Sequence, residues 1–60
     1  MPICVIKRYE PLINGYRMIY QRLDSRGKVV FTEDVVVKDI VLGVGSLVPY
    51  STIEELIQLS

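Results

Sequence analysis

The chain has no histidine and one cysteine, Cys4, in 60 residues. Neither an intrachain disulfide nor a conventional zinc site can therefore hold its fold together. A chain of this length buries only about 60% of the surface that it exposes when unfolded, and such chains usually need disulfides, metals or association. With the first two excluded, we expect one small domain over residues 1–60 that associates with another polypeptide.

The same absences limit the chemistry that the chain can perform. A serine or cysteine nucleophile usually needs a neighbouring histidine to take its proton, and the chain has none. Paired carboxylates are available, but acid-base catalysis needs them in a concave pocket that a domain this small seldom forms. We expect a non-enzymatic protein without metal or cofactor.

Half of the residues are hydrophobic, more than so small a domain can bury internally. Large exposed apolar patches usually mark interfaces. The longest uncharged stretch, residues 40–53, is broken by Gly43 and Pro49 and is too short to span a membrane. Lys7 and Arg8 follow the short apolar start of the chain, which is the wrong order for a signal peptide. The sequence predicts a soluble, cytoplasmic protein that does not contact a membrane.

The amino-terminal third of the chain predicts a strand and a return. Residues 3–9 are rich in β-branched and aromatic types and predict a first strand. Asn14-Gly15 can adopt positive φ, so we expect residues 10–15 to form a turn or short loop. The competing interpretation is a helix over residues 11–23 with Pro11 in its first turn, which Gly15 disfavours.

Residues 16–37 carry the clearest hairpin pattern, with strands 16–23 and 28–37 around the loop 24–27. Gly27 can take the left-handed position of a three-residue loop with a bulge, and Asp24 can accept hydrogen bonds from loop amides. Counting outward from an Asp24-Lys28 pair predicts the register. The predicted pairs are Leu23-Val29, Gln21-Phe31, Ile19-Glu33, Arg22-Val30, Tyr20-Thr32 and Tyr16-Val36.

Both faces of this predicted hairpin carry apolar residues, so we expect both to be at least partly covered, one of them by a second copy or another protein. The β-branched run over residues 33–42 predicts a strand at an interface. A turn at Glu33-Asp34 or at Lys38-Asp39 would instead divide this run into two internal strands and give a four-stranded sheet.

The carboxyl-terminal third predicts a connector and a helix. Residues 43–46 are glycine-rich but lack the lysine of a phosphate-binding loop, so we interpret them as a flexible connector. Ser51 and Glu54 have the spacing of a capping box, and Glu54 and Glu55 would lie near the helix amino terminus. The apolar helix face that we expect to pack on the sheet comprises Ile53, Leu56 and Ile57, extended by Tyr50.

Together these patterns predict an α+β protein, with an antiparallel sheet of three or four strands followed by a short carboxy-terminal helix, associated as a homodimer. We expect a protein-protein interaction module that serves as an accessory, regulatory or inhibitory factor for a larger protein target. The candidate protein-binding residues are Tyr16, Tyr20, Phe31, Val35 and Val37.

The rival hypothesis is nucleic-acid binding by the hairpin 16–28. Residues 7–28 hold six basic and two acidic residues, whereas residues 29–60 hold one basic and five acidic residues. Basic side chains interleaved with tyrosines are typical of single-strand platforms, but the formal net charge of zero argues against this function. The candidate residues are Arg17, Arg22, Arg26 and Lys28. Cys4, between Ile3 and Val5, is predicted to be a small buried hydrophobe, with an intermolecular disulfide as a minor alternative.

Overall fold

The computed structural model describes residues 2–59 and has an α+β fold. Strands β1 (Ile3–Leu12), β2 (Gly15–Leu23) and β3 (Val29–Val37) precede a short strand β4 (Leu47–Pro49) and the helix α1 (Tyr50–Leu59). The four strands form one antiparallel sheet in the order β3-β2-β1-β4. This confirms the predicted α+β class, the antiparallel sheet of three or four strands, which has four, and the carboxy-terminal helix.

The helix covers one face of the sheet and completes the core there. Ile53 of α1 is fully buried, together with residues from the first three strands. The buried cluster comprises Cys4, Ile6, Met18, Tyr20, Val37 and Ile53. The complete burial of Cys4 confirms its predicted role as a small hydrophobe.

The opposite face of the sheet, which we call the open face, has no helix against it in residues 2–59. Register pairing places an apolar group on it, because directly paired residues share a face. Ile3 pairs with Leu23 and Pro49, Val5 pairs with Leu47, and Leu23 pairs with Val29. Leu47 is 66% exposed, so the open face leaves apolar side chains in contact with solvent.

The predicted hairpin turn is confirmed in detail. Gly27 has a φ of 82°, and its amide donates to the Asp24 carbonyl at 3.0 Å. The Asp24 side chain accepts from the amides of Arg26 and Lys28, each at 2.9 Å, and the Asp24 amide donates to the Lys28 carbonyl at 2.8 Å. This is the three-residue loop with a glycine bulge that the sequence predicted.

The predicted register is correct for Leu23-Val29 and wrong for the other pairs. An irregularity between Arg22 and Leu23 leaves Val30 as an extra residue in β3, so the following partners shift by one. Arg22 pairs with Phe31, Tyr20 with Glu33 and Tyr16 with Val37. Because one extra residue reverses which face a side chain occupies, Phe31 lies on the helix-covered face and not beside Gln21.

The strand over residues 3–9 was predicted too short. It continues to Leu12 and includes Pro11, which pairs with Tyr16. The strand β4 pairs with β1 only from Ile3 to Val5. Pro11 therefore lies in a part of β1 that has one neighbouring strand, β2. An edge position of this kind tolerates a residue without an amide hydrogen. The turn is thereby reduced to Ile13 and Asn14, and the helical alternative over residues 11–23 is wrong.

Neither prediction for the run 33–42 is fully correct. The strand β3 ends at Val37, and residues 38–42 form an irregular segment, which the Tyr9 hydroxyl anchors by donating to the Leu42 carbonyl at 2.6 Å. The fourth strand is instead β4, which follows the glycine-rich connector. Hydrogen bonds from the Gly45 amide to the Ile6 carbonyl (2.7 Å) and from the Ile6 amide to the Ser46 carbonyl (3.1 Å) lead the chain into this pairing.

The helix begins at Tyr50, one residue before the predicted cap, so Ser51 lies inside the first turn and Glu54 and Glu55 lie beyond it. The Tyr50 amide donates to the Pro2 carbonyl at 3.0 Å, which ties the start of α1 to the start of the fold. Leu56 packs against the core as predicted, whereas Ile57 is 45% exposed.

Candidate functional site

The outer edge of β3 is the candidate site, because β3 ends the sheet and pairs only with β2 among residues 2–59. Nine residues long, it exceeds the five or six that are usual for a strand. Its sequence, VVFTEDVVV, is dominated by β-branched residues and contains no lysine, glycine or proline. An exposed edge of this kind presents unpaired backbone N–H and C=O groups to another strand.

Two carboxylates, Glu33 and Asp34, lie in the middle of β3. The Tyr20 hydroxyl donates a short hydrogen bond to Glu33 Oε2. Burial of the phenol raises the pKa of Tyr20 well above its ordinary value, and the hydrogen bond to Glu33 raises it further. Tyr20 is therefore held as a neutral donor that fixes the position of Glu33.

Asp34 lies on the open face in a chain of surface ion pairs. Arg17 Nε is 3.8 Å from Asp34 Oδ2, and Arg17 Nη1 is 3.6 Å from Glu10 Oε1. Arg8 Nη2 contacts the other oxygen of Glu10 at 3.1 Å. The Arg17-Asp34 pair is the point at which the basic and acidic halves of the sequence meet on β2 and β3.

The candidate protein-binding side chains lie mostly inside the fold. Tyr20 and Val37 are buried in the core, and Tyr16 and Val35 are half-buried against it. Phe31 is 38% exposed and lies beside the Arg22 guanidinium, whose carbon is 5.1 Å from the ring centroid. Three of these residues, Phe31, Val35 and Val37, belong to β3. Their accessible part is chiefly the backbone along the outer edge of that strand.

The four candidate nucleic-acid-binding residues are dispersed. Arg17 is engaged on the open face, whereas Arg22 lies on the helix-covered face, with its guanidinium carbon 4.1 Å from the centroid of the Tyr50 ring. Arg26 and Lys28 are exposed in the turn. Of the two tyrosines, Tyr20 is buried and cannot stack on a base, and Tyr16 is half-buried and makes an edge-to-face contact with Tyr9.

The residues around Arg22 form the polar margin of the core. Its Nε is buried and has no hydrogen-bond partner among residues 2–59, while its guanidinium carbon lies over the rings of Tyr50 and Phe31. Neighbouring Cys4 has a raised pKa because burial disfavours the thiolate, although the charge of Arg22 lowers it in part. A thiol that is buried and kept protonated is a poor nucleophile.

In the described range 2–59, no three side chains of the metal-binding types come together as a cluster. The helix α1 falls well short of the length and apolar character needed to cross a bilayer, and no other helix is present in that range. Comparisons with protein-family models, with curated proteins and with solved structures find no match for the chain.

The sequence of β3 is typical of a strand at an interface, but it does not indicate where β3 lies in the sheet. The run of valines was predicted to lie at an interface, which is consistent with an edge position. The sequence did not predict that β4 pairs with β1, which leaves the outer edge of β3 without a neighbouring strand among residues 2–59.

Proposed function

We propose that the chain is a small non-enzymatic protein-protein interaction module, which binds an extended segment of a larger protein by adding it as a strand beside β3. The observation that carries this proposal is the nine-residue outer edge of β3, next to which no strand of residues 2–59 lies. Strand addition takes its affinity from main-chain hydrogen bonds and its selectivity from alternate side chains. In this role the chain acts as an accessory, regulatory or inhibitory factor.

The regular part of the edge is long enough for such pairing. From Phe31 to Val37 each residue of β3 has one partner on β2, so this stretch keeps an even ladder geometry beyond the bulge at Val30. The side chains of β3 on the helix-covered face also hold the strand in place, because Val37 is buried and Val35 packs against the core. A rigid edge loses little conformational entropy when a segment pairs with it.

The predicted homodimer stays a prediction, and the open face offers the apolar surface for it. Ile3, Val5 and Leu23 are half-buried there, and Leu47 and Val29 are exposed. Light scattering over a wide concentration range, at low and high salt, tests this expectation. A dimer that resists salt is the expected result for association through apolar side chains, and a monomer at all concentrations contradicts it.

The strand-addition proposal is tested by selecting peptides from a random displayed library against the isotopically labelled chain. Selected peptides should shift the NMR signals of β3 amides and protect those amides from hydrogen exchange. Peptides that perturb only the β1-β2 turn, α1 or the open face would contradict the proposal, as would a selection that yields no binder.

A pair of proline variants locates the binding edge. N–H groups alternate in direction along a strand, so of Val35 and Val36 one donates toward β2 and the other faces the outer edge. Val35→Pro and Val36→Pro should therefore differ in thermal stability, and the more stable variant is the one whose outer N–H is removed. We expect that variant to keep its fold and lose peptide binding. Undiminished binding would contradict strand addition.

A further inference from the structure

The charge of β3 restricts which strand can pair with it. Glu33 and Asp34 are its only charged residues, and both are exposed. Adjacent residues of a strand face opposite sides, so the carboxylates present negative charge on both faces of the edge. The contacts within the chain leave much of that charge in place, because Tyr20 is a neutral donor and the Arg17-Asp34 pair is long and exposed.

A second copy of β3 is a poor occupant of this edge. Full-length antiparallel pairing of two β3 strands places Glu33 opposite the second Glu33, or Glu33 opposite the second Asp34. In-register parallel pairing also aligns like charges. Like charges that lie directly opposite each other destabilise a strand pair, and edge charges are a common protection against self-pairing.

A depression beside the edge suits a long cationic side chain. It has a volume of about 280 Å³ and is lined by Arg8, Ile19, Thr32, Glu33 and Asp34. Ile19 provides an apolar wall and Asp34 an acidic one, whereas the Glu33 carboxylate lies on the opposite face, where it accepts from Tyr20. Lysine and arginine place their aliphatic stems on apolar surface while their charged heads contact anions. Arg8, the basic residue of the lining, is held by Glu10 at 3.1 Å.

From this geometry we infer that the occupant of the β3 edge is an extended protein segment with lysine or arginine at its centre and uncharged residues on either side. The central cations face Glu33 and Asp34, and the flanking residues pair along Phe31 and Val35–Val37. This inference rests on the proposed strand addition and adds the chemical class of the partner. It also assigns Glu33 and Asp34 the role of setting specificity.

The test uses three synthetic eight-residue peptides of alternating threonine and valine, whose two central residues are both lysine, both serine or both aspartate. Binding to the full chain is measured by NMR titration at low and high salt. We expect the lysine peptide to bind about tenfold more tightly than the serine peptide at low salt. The aspartate peptide should bind more weakly than the serine peptide, and high salt should reduce both differences.

Charge-reversal variants connect the preference to the site. Asp34→Lys should reverse the order, so that the aspartate peptide binds better than the lysine peptide. Glu55→Lys makes the same change in net charge on an exposed helix position and should leave the order unchanged. Asp34→Asn serves as a milder variant, which should weaken the lysine peptide alone if the reversal variant fails to fold.

The outcomes separate the two proposals. Equal binding of all three peptides to β3 would overturn the charge inference while strand addition stands. Binding of none of them, or binding away from β3, would overturn both. A lysine preference that Glu55→Lys alters as much as Asp34→Lys would show a general charge effect and would also overturn the assigned role of Asp34.

Discussion

The guanidinium carbon of Arg22 lies 4.1 Å from the centroid of the Tyr50 ring, so a residue of β2 is stacked on the first residue of α1. Phe31, the partner of Arg22 on β3, has its ring centroid 5.1 Å from the same carbon. One side chain therefore links two strands and the helix at the margin of the core. Cation-π contacts of this kind contribute about 0.5–2 kcal/mol, depending on how far they are removed from water.

Arg22→Lys should lower the free energy of unfolding by about 1 kcal/mol, because lysine keeps the charge but cannot stack a planar group on Tyr50. Urea denaturation measures the change. Arg26→Lys is the matched control, since Arg26 is exposed in the turn and should be neutral within about 0.5 kcal/mol. Equal stabilities for the two variants would show that the stacking does not stabilise the fold.

Ile53→Ala should destabilise the chain by about 3 kcal/mol, because it removes the fully buried side chain through which α1 closes the core. For so small a domain that loss is a large part of the total stability. Ile57→Ala, in the same helix but 45% exposed, should cost less than about 1 kcal/mol. Thermal and urea melts compare them, and similar losses would contradict the placement of α1.

Gly15→Ala should cost about 2 kcal/mol or more. Gly15 has a φ of 156°, and a Cβ built there would overlap the carbonyl oxygen of Val37 on the neighbouring strand. Gly43→Ala is the control, because its Cβ would meet only the Ser46 hydroxyl at 3.4 Å, and we expect a change below about 0.5 kcal/mol. If both substitutions are tolerated equally in melting experiments, the close approach of β2 and β3 at this point is wrong.

Stability should fall as the pH rises above about 9. Burial raises the pKa values of Cys4, Tyr9 and Tyr20 in the folded chain, so the unfolded chain releases these protons first. Their contribution is fully present below the unfolded pKa values, near 9.0 for the thiol and 10.0 for the phenols, and is lost progressively as the pH rises from those values through the higher pKa values of the folded chain. Each group contributes a slope of up to about 1.4 kcal/mol per pH unit.

Urea midpoints measured between pH 7 and pH 11 test this dependence. Cys4→Ala should remove the decrease in urea midpoint that begins at the lower pH, where the unfolded thiol loses its proton. Tyr20→Phe should reduce the decrease in midpoint at higher pH, where the unfolded phenol loses its proton. A midpoint that stays constant to pH 11 would contradict the burial of these groups.

The local features of the fold were predictable where a few residues determine them. Gly27 and Asp24 specified the hairpin turn, because the left-handed glycine and the carboxylate that accepts loop amides act within five residues. The class of fold also followed from strand patterns succeeded by an apolar helix face.

Features that depend on distant partners were not predictable. The extra residue Val30 shifts the register of β3, and only packing against the sheet decides where a bulge is accommodated. The strand β4 has three residues, including Pro49, and forms because β1 lies beside it. The free edge of β3 is a consequence of that placement, so the candidate site emerged only from the topology.

The hydrogen bond from the Tyr50 amide to the Pro2 carbonyl has a consequence for the order of folding. Strands β1, β2 and β3 are joined by short turns and make contacts between near neighbours in the chain, which form quickly. The return of β4 and α1 to β1 closes a loop that spans almost the whole sequence. We therefore expect a meander that assembles early with Cys4, Ile6 and Tyr20 uncovered, and a late docking step in which Ile53 removes them from water.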